Sequence, residues 1–123
     1  MMQMQQYTLV LGASANPERY SYMAIQLLLE KGHPVYAIGS SNSTVHGVSI
    51  VTQPTLWPNV ATVTLYLNPA LQKSYYQYLM QLKPQRIIFN PGTENPELAA
   101  LAQQNGIEVI EACTLVMLRT YQY

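Results

Sequence analysis

The chain has 123 residues, enough for one domain with a hydrophobic core and too few for two domains of ordinary size. Six Lys and Arg residues balance six Glu residues, so there is no basic surplus of the kind that attracts nucleic acids or anionic membranes. The absence of Asp removes many hydrolase mechanisms, and no apolar run approaches the roughly 20 residues that cross a bilayer.

The first and last parts of the chain bear on its cellular compartment. Residues 1–6 lack the charged and then apolar pattern of a signal peptide, and the single cysteine, Cys113, has no partner for an internal disulfide. We therefore expect a cytoplasmic protein that forms one domain over residues 1–123.

Five short strands are predicted, each of them an apolar or β-branched run bounded by Gly, Pro or Asn. In chain order they cover residues 8–11, 35–38, 62–67, 86–89 and 108–110. They alternate with runs of helical period, which is typical of a parallel sheet covered on both faces. The sequence therefore predicts an α/β protein with a three-layer, Rossmann-like fold and a five-stranded, mainly parallel sheet.

Three helices are predicted between these strands, and residues 114–118 favour a short closing helix. The first helix ends at Gly32, while the second and third each begin with an Asn cap followed by Pro, at Asn68 and Asn95. The residues predicted to face the core are Tyr20, Ala24, Leu27 and Leu28 in the first helix, Leu71, Tyr75, Tyr78, Leu79 and Leu82 in the second, and Leu98, Leu101 and Ala102 in the third.

Residues 39–58 fit no helix. Within them, residues 40–44 are turn-like and residues 47–52 are compatible with an extra short edge strand. A chain that skips a crossover helix here is expected to return across the sheet, which places residues 62–67 on the far side of the first strand. This arrangement creates a topological switch point, where open parallel sheets bind their ligands.

The turn after the first strand, residues 12–22, is the candidate phosphate site. Gly12 permits close approach, and Ser14 offers a hydroxyl near a helix N-terminus, whose partial positive charge suits an anion. Arg19 is the one full positive charge in this turn and can make forked contacts with phosphate. The same residues also suit an ordinary strand-to-helix turn, and the GxGxxG fingerprint is absent. The second strand is followed by Gly39 and Ser40 rather than by the acid of an NAD site.

The segments GASANPERYSY, LLLEKGHPVYAIGSS, VHGV, NPGTENPEL and NGIEVIEACT resemble, in this order, the small bacterial CoA-binding proteins. That family has a Rossmann-like fold related to the N-terminal domain of the succinyl-CoA synthetase α subunit. The resemblance covers nearly the whole chain and implies non-enzymatic binding of coenzyme A or acyl-CoA. By position it implies that the CoA phosphates contact Gly12, Ala13, Ser14, Asn16, Arg19 and Ser21, that the adenosine lies by Gly39 and Ser40, and that Asn68 borders the pyrophosphate.

Two departures from the family pattern leave other functions open. Ser40 stands where related sites often have a Pro or a basic residue that meets the 3′-phosphate, and Cys113 lacks the basic neighbour and following Pro of many relatives. An NAD(P)-dependent oxidoreductase or redox sensor, and an interaction module without a ligand, are the alternatives. Exchanging Gly12 for valine or Arg19 for alanine is expected to remove CoA binding while the protein still folds.

Neither a catalytic nor a metal-binding set is predicted. Cys113 is expected to be buried, His33 and His46 to be structural or solvated, and Glu94 and Glu97 to favour a helix N-terminus, with Glu94 a minor acid-base candidate. The expected partner is a small nucleotide ligand rather than a nucleic acid or a membrane. A monomer and a homodimer are both compatible with the sequence.

Overall fold

The computed structural model describes residues 5–123, so most of the segment 1–6 considered for a signal peptide lies outside it. The strands within the described residues are β1 (Tyr7–Ala13), β2 (Val35–Gly39), β3 (Ser43–Val45), β4 (Val48–Val51), β5 (Val60–Leu65), β6 (Arg86–Phe89) and β7 (Glu108–Glu111). The helices are α1 (Tyr20–Glu30), α2 (Pro69–Gln72), α3 (Tyr76–Leu82), α4 (Pro96–Gln104) and α5 (Thr114–Arg119), with a 3-10 turn, Lys73–Tyr75, between α2 and α3. Over this part of the chain, no helix combines the length and apolar character that a membrane span requires.

The strands form one sheet in the order β3-β4-β2-β1-β5-β6-β7. All neighbours are parallel except β3 and β4, which pair antiparallel at one edge. The predicted mainly parallel α/β fold is confirmed, and the predicted count of five strands is corrected to seven. Both additional strands come from residues 39–58: β4 is the extra strand that the sequence suggested, and β3 overlaps the run predicted as a turn. Because β5 pairs with β1 on the side away from β2, the predicted switch point is also confirmed.

Two hydrophobic cores cover the two faces of the sheet. Along β1, Leu9 packs in the core that includes Leu79 of α3 and Leu98 of α4, whereas Val10 packs in the core that includes Leu28 of α1. Adjacent strand residues point to opposite faces, so a strand covered on both sides is apolar throughout. The two cores produce the predicted three layers.

Helix α1 buries a stripe that includes Ala24 and Leu28, as predicted, but differs from the prediction at its start. Its buried residues are Ser21, Ala24, Ile25 and Leu28, while Tyr20 is 69% exposed. The prediction that Tyr20 faces the core is wrong, because the helix begins at this residue and the buried stripe starts one position later.

The predicted second helix is interrupted. Asn68 caps its start, as expected, and accepts a hydrogen bond from the Leu71 backbone N–H at 3.1 Å. The 3-10 turn then rotates the side chains of α2 relative to those of α3, because a 3-10 helix has fewer residues per turn than an α-helix. Gln72 is therefore buried and Leu71 is 56% exposed, which corrects the predicted core position of Leu71.

Three aromatic rings stack on one another beside β2. The ring of Tyr36 lies between those of Tyr7 and Trp57, with centroid distances of 4.1 and 4.5 Å. Trp57 belongs to the loop that returns from β4 to β5, and the Tyr78 hydroxyl donates to the Thr55 carbonyl of the same loop at 2.6 Å. These contacts hold the return crossing against the sheet.

Candidate functional site

A cleft of about 700 Å³ lies at the carboxyl ends of β1, β2 and β5. One wall comes from the β1–α1 turn and the end of β2, and the other from the segment after β5 and the turn after β6. The residues that line the cleft are Gly12, Ala13, Ser14, Arg19, Tyr20, Ser21, Ile38, Gly39, Ser40, Tyr66, Leu67, Asn68, Leu71, Ser74, Tyr75, Pro91, Gly92 and Thr93. It occupies the switch point at which open α/β sheets bind ligands.

Gly12 shapes the floor of the cleft. The β1–β2 register shifts between Leu11 and Ala13, so Gly12 forms an irregularity in the strand with a φ of +99°. A Cβ atom at this position would lie 2.8 Å from the Tyr66 carbonyl carbon. Glycine is thus required both by the backbone conformation and by the close approach of the segment after β5.

At the end of β2, Gly39 allows β2 to pack closely against β1. A Cβ atom here would overlap the Ala13 carbonyl oxygen and would lie 2.8 Å from the Ile50 Cγ2 atom. The two glycines therefore let three strand ends converge on the cleft.

Hydrogen bonds between residues close in sequence organise the β1–α1 turn. The Ser14 Oγ atom accepts from the Asn16 backbone N–H at 3.1 Å, and the Asn16 Oδ1 atom accepts from the Glu18 N–H at 3.0 Å. Asn16 does not line the cleft, so within this structure it supports the turn rather than facing the cavity. The Ser14 hydroxyl can still donate its proton to a ligand.

The N-terminus of α1 is open toward an anion. Arg19 occupies the N-cap position without a side-chain cap, and the first turn contains no acidic residue. Among the described residues, the backbone N–H groups of Tyr20 and Ser21 donate to no acceptor. The exposed Arg19 guanidinium adds a full positive charge to the partial charge of the helix end.

A buried glutamine holds the opposite wall together. Gln72 is fully buried, and its Nε2 atom donates to the carbonyl oxygens of Leu67 and Thr93, both at 2.8 Å. Its Oε1 atom accepts from the Asn95 Nδ2 atom at 2.9 Å, and Asn95 in turn caps α4 by accepting from the Leu98 N–H. One side chain thereby fixes both loops of this wall and the start of α4.

Two predicted polar residues of this wall already have structural partners. The Asn68 side-chain oxygen caps α2, which leaves its amide N–H groups for a ligand. The Glu94 Oε1 atom accepts from the Gly92 N–H at 2.8 Å and thereby supports the turn after β6. Glu94 thus supports this turn, whereas Glu97 lies in the first turn of α4, and the minor acid-base role of Glu94 stays a prediction.

A buried polar cluster lies beneath the cleft. The Asn90 Nδ2 atom donates to Thr64 Oγ1 at 2.7 Å and to the Leu65 carbonyl at 2.9 Å, and its Oδ1 atom accepts from the Thr114 N–H at 2.8 Å. These bonds join the ends of β5 and β6 to the start of α5. Burial raises the pKa of the neighbouring Tyr66 to about 12, so this phenol stays protonated at neutral pH.

Eight of the nine residues predicted to contact the ligand line this one cleft, and Asn16 does not. The structure thus brings together Gly12, Ala13, Ser14, Arg19, Ser21, Gly39, Ser40 and Asn68 from three separate parts of the chain. Which of them touches a ligand stays a prediction.

Sequence reasoning missed much of the second wall. Tyr66, Leu67, Leu71, Ser74 and Tyr75 line the cleft without having been proposed. The turn Pro91, Gly92 and Thr93 also lines the cleft, as expected for residues that follow a predicted strand at the same edge of the sheet. Leu71 and Tyr75 had been assigned to the core by helical period, which the 3-10 turn interrupts.

The remaining candidates lie outside the cleft lining. Cys113 is a half-buried free thiol at the N-cap of α5, His33 packs against Tyr123, and His46 packs against Tyr22. In the described part of the chain, no three His, Cys or Glu side chains come together as metal ligands.

Comparison with solved structures finds the same fold in several proteins. A crystal structure of an uncharacterised protein has 43% sequence identity and a TM-score of 0.93, with 98% of this chain and 100% of that chain covered. A protein from Thermus thermophilus has 20% identity and a TM-score of 0.86, with 97% and 91% covered.

A larger enzyme contains a domain of the same fold. The apo acetyl-coenzyme A synthetase 1 from Candidatus Korarchaeum cryptofilum has 15% identity and a TM-score of 0.72, with 88% of this chain but only 26% of that chain covered. At this identity the likeness concerns the fold alone. A comparison with curated protein sequences gives no match.

A family model gives the assignment. The model of the CoA binding domain matches residues 6–119, which include both walls of the cleft and the polar cluster beneath it. The resemblance noted from the sequence motifs is therefore confirmed, and the chain belongs to the CoA-binding domain family.

Proposed function

We propose that this protein binds coenzyme A or an acyl-CoA in the cleft, with the diphosphate held by the β1–α1 turn, and that it catalyses no reaction of its own. The observation that carries the proposal is the open N-terminus of α1 beside Arg19, on the wall of a cleft in a CoA-binding domain. Backbone N–H groups, the Ser14 hydroxyl and one guanidinium form a set that suits a diphosphate.

The opposite wall suits the other end of such a ligand. Leu67, Leu71 and Tyr75 provide apolar surface, and Ser74 and Thr93 add polar groups. A pantetheine arm has amides and methylene groups, so it can pack along a mixed surface of this kind. Within the described residues, the titratable side chains of the lining are those of Arg19, Tyr20, Tyr66 and Tyr75, a set that suits ligand binding.

The test is ligand identification combined with thermal melting. We expect CoA and acetyl-CoA to raise the melting temperature, since a ligand at 100 times its Kd stabilises the folded state by about 2.7 kcal/mol. NAD and NADP at the same concentration are expected to have no effect, and mass spectrometry of denatured protein should identify any nucleotide that co-purifies. Acetyl-CoA should be recovered unchanged after incubation. A shift with NAD alone, or consumption of acetyl-CoA, would contradict the proposal.

Arg19→Ala is expected to weaken CoA binding about 10-fold to 100-fold, because a charge-assisted phosphate contact is lost. Arg19 is exposed and does not cap α1 through its side chain, so the melting temperature of the unliganded variant should stay within 2 °C or so of the wild type. Isothermal titration calorimetry measures the effect. Arg119→Ala, at the exposed end of α5 and away from the cleft lining, is the matched control and should bind CoA normally.

A further inference from the structure

We infer that the cleft recognises the diphosphate of its ligand but does not select for a phosphate on the ribose, so that dephospho-CoA binds at least as well as CoA. This inference rests on the proposed function and specifies its ligand class: an adenosine diphosphate that carries a pantetheine arm and whose ribose hydroxyls need not carry a phosphate.

The distribution of positive charge supports this. The chain has six cationic residues, namely Arg19, Lys31, Lys73, Lys83, Arg86 and Arg119. Of these, Arg19 alone is among the residues that line the cleft in the described part of the chain. CoA carries about four negative charges on its diphosphate and 3′-phosphate at neutral pH. One guanidinium and the end of α1 can offset the diphosphate but leave the second group without a partner.

None of the other five cationic residues lines the cleft in the described part of the chain. Arg86 starts β6, at the opposite end of the sheet, where its Nε atom donates to Thr62 Oγ1 at 2.9 Å and its guanidinium lies 4.6 Å from the centre of the Tyr123 ring. Lys31 follows the C-terminal end of α1 and lies 4.5 Å from the centre of the Tyr121 ring. Lys73 is exposed, next to Ser74 on the wall opposite the end of β2.

The end of β2 is where a Rossmann-type fold meets the ribose. An acid there binds free ribose hydroxyls, whereas an arginine accommodates a ribose phosphate. This chain has Gly39 and Ser40 on the cleft wall, followed by the exposed and neutral Ser41 and Asn42. The Ser40 hydroxyl can bond a ribose hydroxyl, but it cannot offset the charge of a phosphate.

Calorimetric titration with CoA and with dephospho-CoA tests the inference. We expect the Kd of dephospho-CoA to be equal to or lower than that of CoA, with a difference within about threefold, because an exposed phosphate without a cation neither gains nor loses much. A CoA affinity more than about threefold higher than that of dephospho-CoA would overturn the inference while leaving the proposed function intact. If neither compound binds, the proposed function fails and the inference with it.

Ser40→Arg provides the complementary test. Because Ser40 is exposed, the substitution should be tolerated, and the new guanidinium should raise the ratio of CoA affinity to dephospho-CoA affinity about tenfold. Ser49→Arg, on the exposed side of β4 and outside the cleft lining, adds the same charge and should change neither affinity. An equal gain for both ligands in Ser40→Arg, or no gain for either, would overturn the placement of the ribose beside Ser40.

Discussion

Replacing Gly12 with alanine is expected to destabilise the folded protein by about 3 kcal/mol or more, from backbone strain together with overpacking. The φ of +99° is costly for any residue with a Cβ atom, and that atom would lie 2.8 Å from the Tyr66 carbonyl carbon and 3.1 Å from Leu67 Cδ2. Because Tyr66 is fixed by the hydrogen bond from its N–H to the Leu11 carbonyl, the strands themselves must move. The melting temperature should fall by roughly 10 °C.

Gly32→Ala separates the two causes. Gly32 also has a positive φ, +84°, but a Cβ atom there would have no neighbour within 4 Å, so this variant keeps the strain and lacks the overlap. It should lose only about 1 kcal/mol. Denaturant midpoints of the two variants measure the difference, and equal losses would show that the contact with Tyr66 is unimportant. The geometry also argues against the expectation that Gly12→Val removes CoA binding from an otherwise intact fold. Arg19→Ala is the cleaner probe of binding.

Gln72→Leu is expected to destabilise the protein by about 3 kcal/mol, because it leaves buried acceptors and a buried donor without partners. The carbonyl oxygens of Leu67 and Thr93 each lose a bond of 2.8 Å, and the Asn95 amide loses its bond to Gln72. Leucine is similar in size, so lost volume contributes little. CoA affinity should fall as well, since both loops of the second wall depend on this side chain.

The exposed Gln81 of α3 offers the control for this substitution. Gln81→Leu should change the unfolding free energy by less than about 0.5 kcal/mol and should leave CoA binding unchanged. Urea denaturation and calorimetry report the two effects. If Gln72→Leu is as stable as the wild type, the network does not fix the wall in the way that its distances indicate.

The sequence predicted the β6 boundaries, Arg86–Phe89, and the caps of α2 and α4, because these features depend on neighbouring residues. A strand of Ile, Ile and Phe, or an Asn before a Pro, carries its own local signal. Strand β3 was missed because Val45 is its only buried residue. The sequence offered Gly47 as a hint of a hairpin, and in the structure His46 and Gly47 both have positive φ in the turn between β3 and β4.

The residues of the candidate site also differ in whether the sequence alone could identify them. Gly12, Ser14 and Arg19 could be proposed from sequence, since a turn between a strand and a helix has a recognisable composition and matches the family motif. Ser21 and Ser40 followed from the same motif, and all five line the cleft. In the second wall the sequence proposed Asn68 but not the apolar residues beside it, because helical period assigned Leu71 and Tyr75 to the core.

By itself, the sequence determined the α/β fold, the switch point beside β1 and the turn that faces it, because periodicity, caps and turn residues act over a few positions. Only the tertiary structure decided how the second wall is built. Gln72 bonds to Thr93, which is 21 residues away, and the 3-10 turn moves Leu71 from the expected core into the cleft lining. A buried amide is stabilised only when distant carbonyls meet it, and no local pattern specifies that meeting.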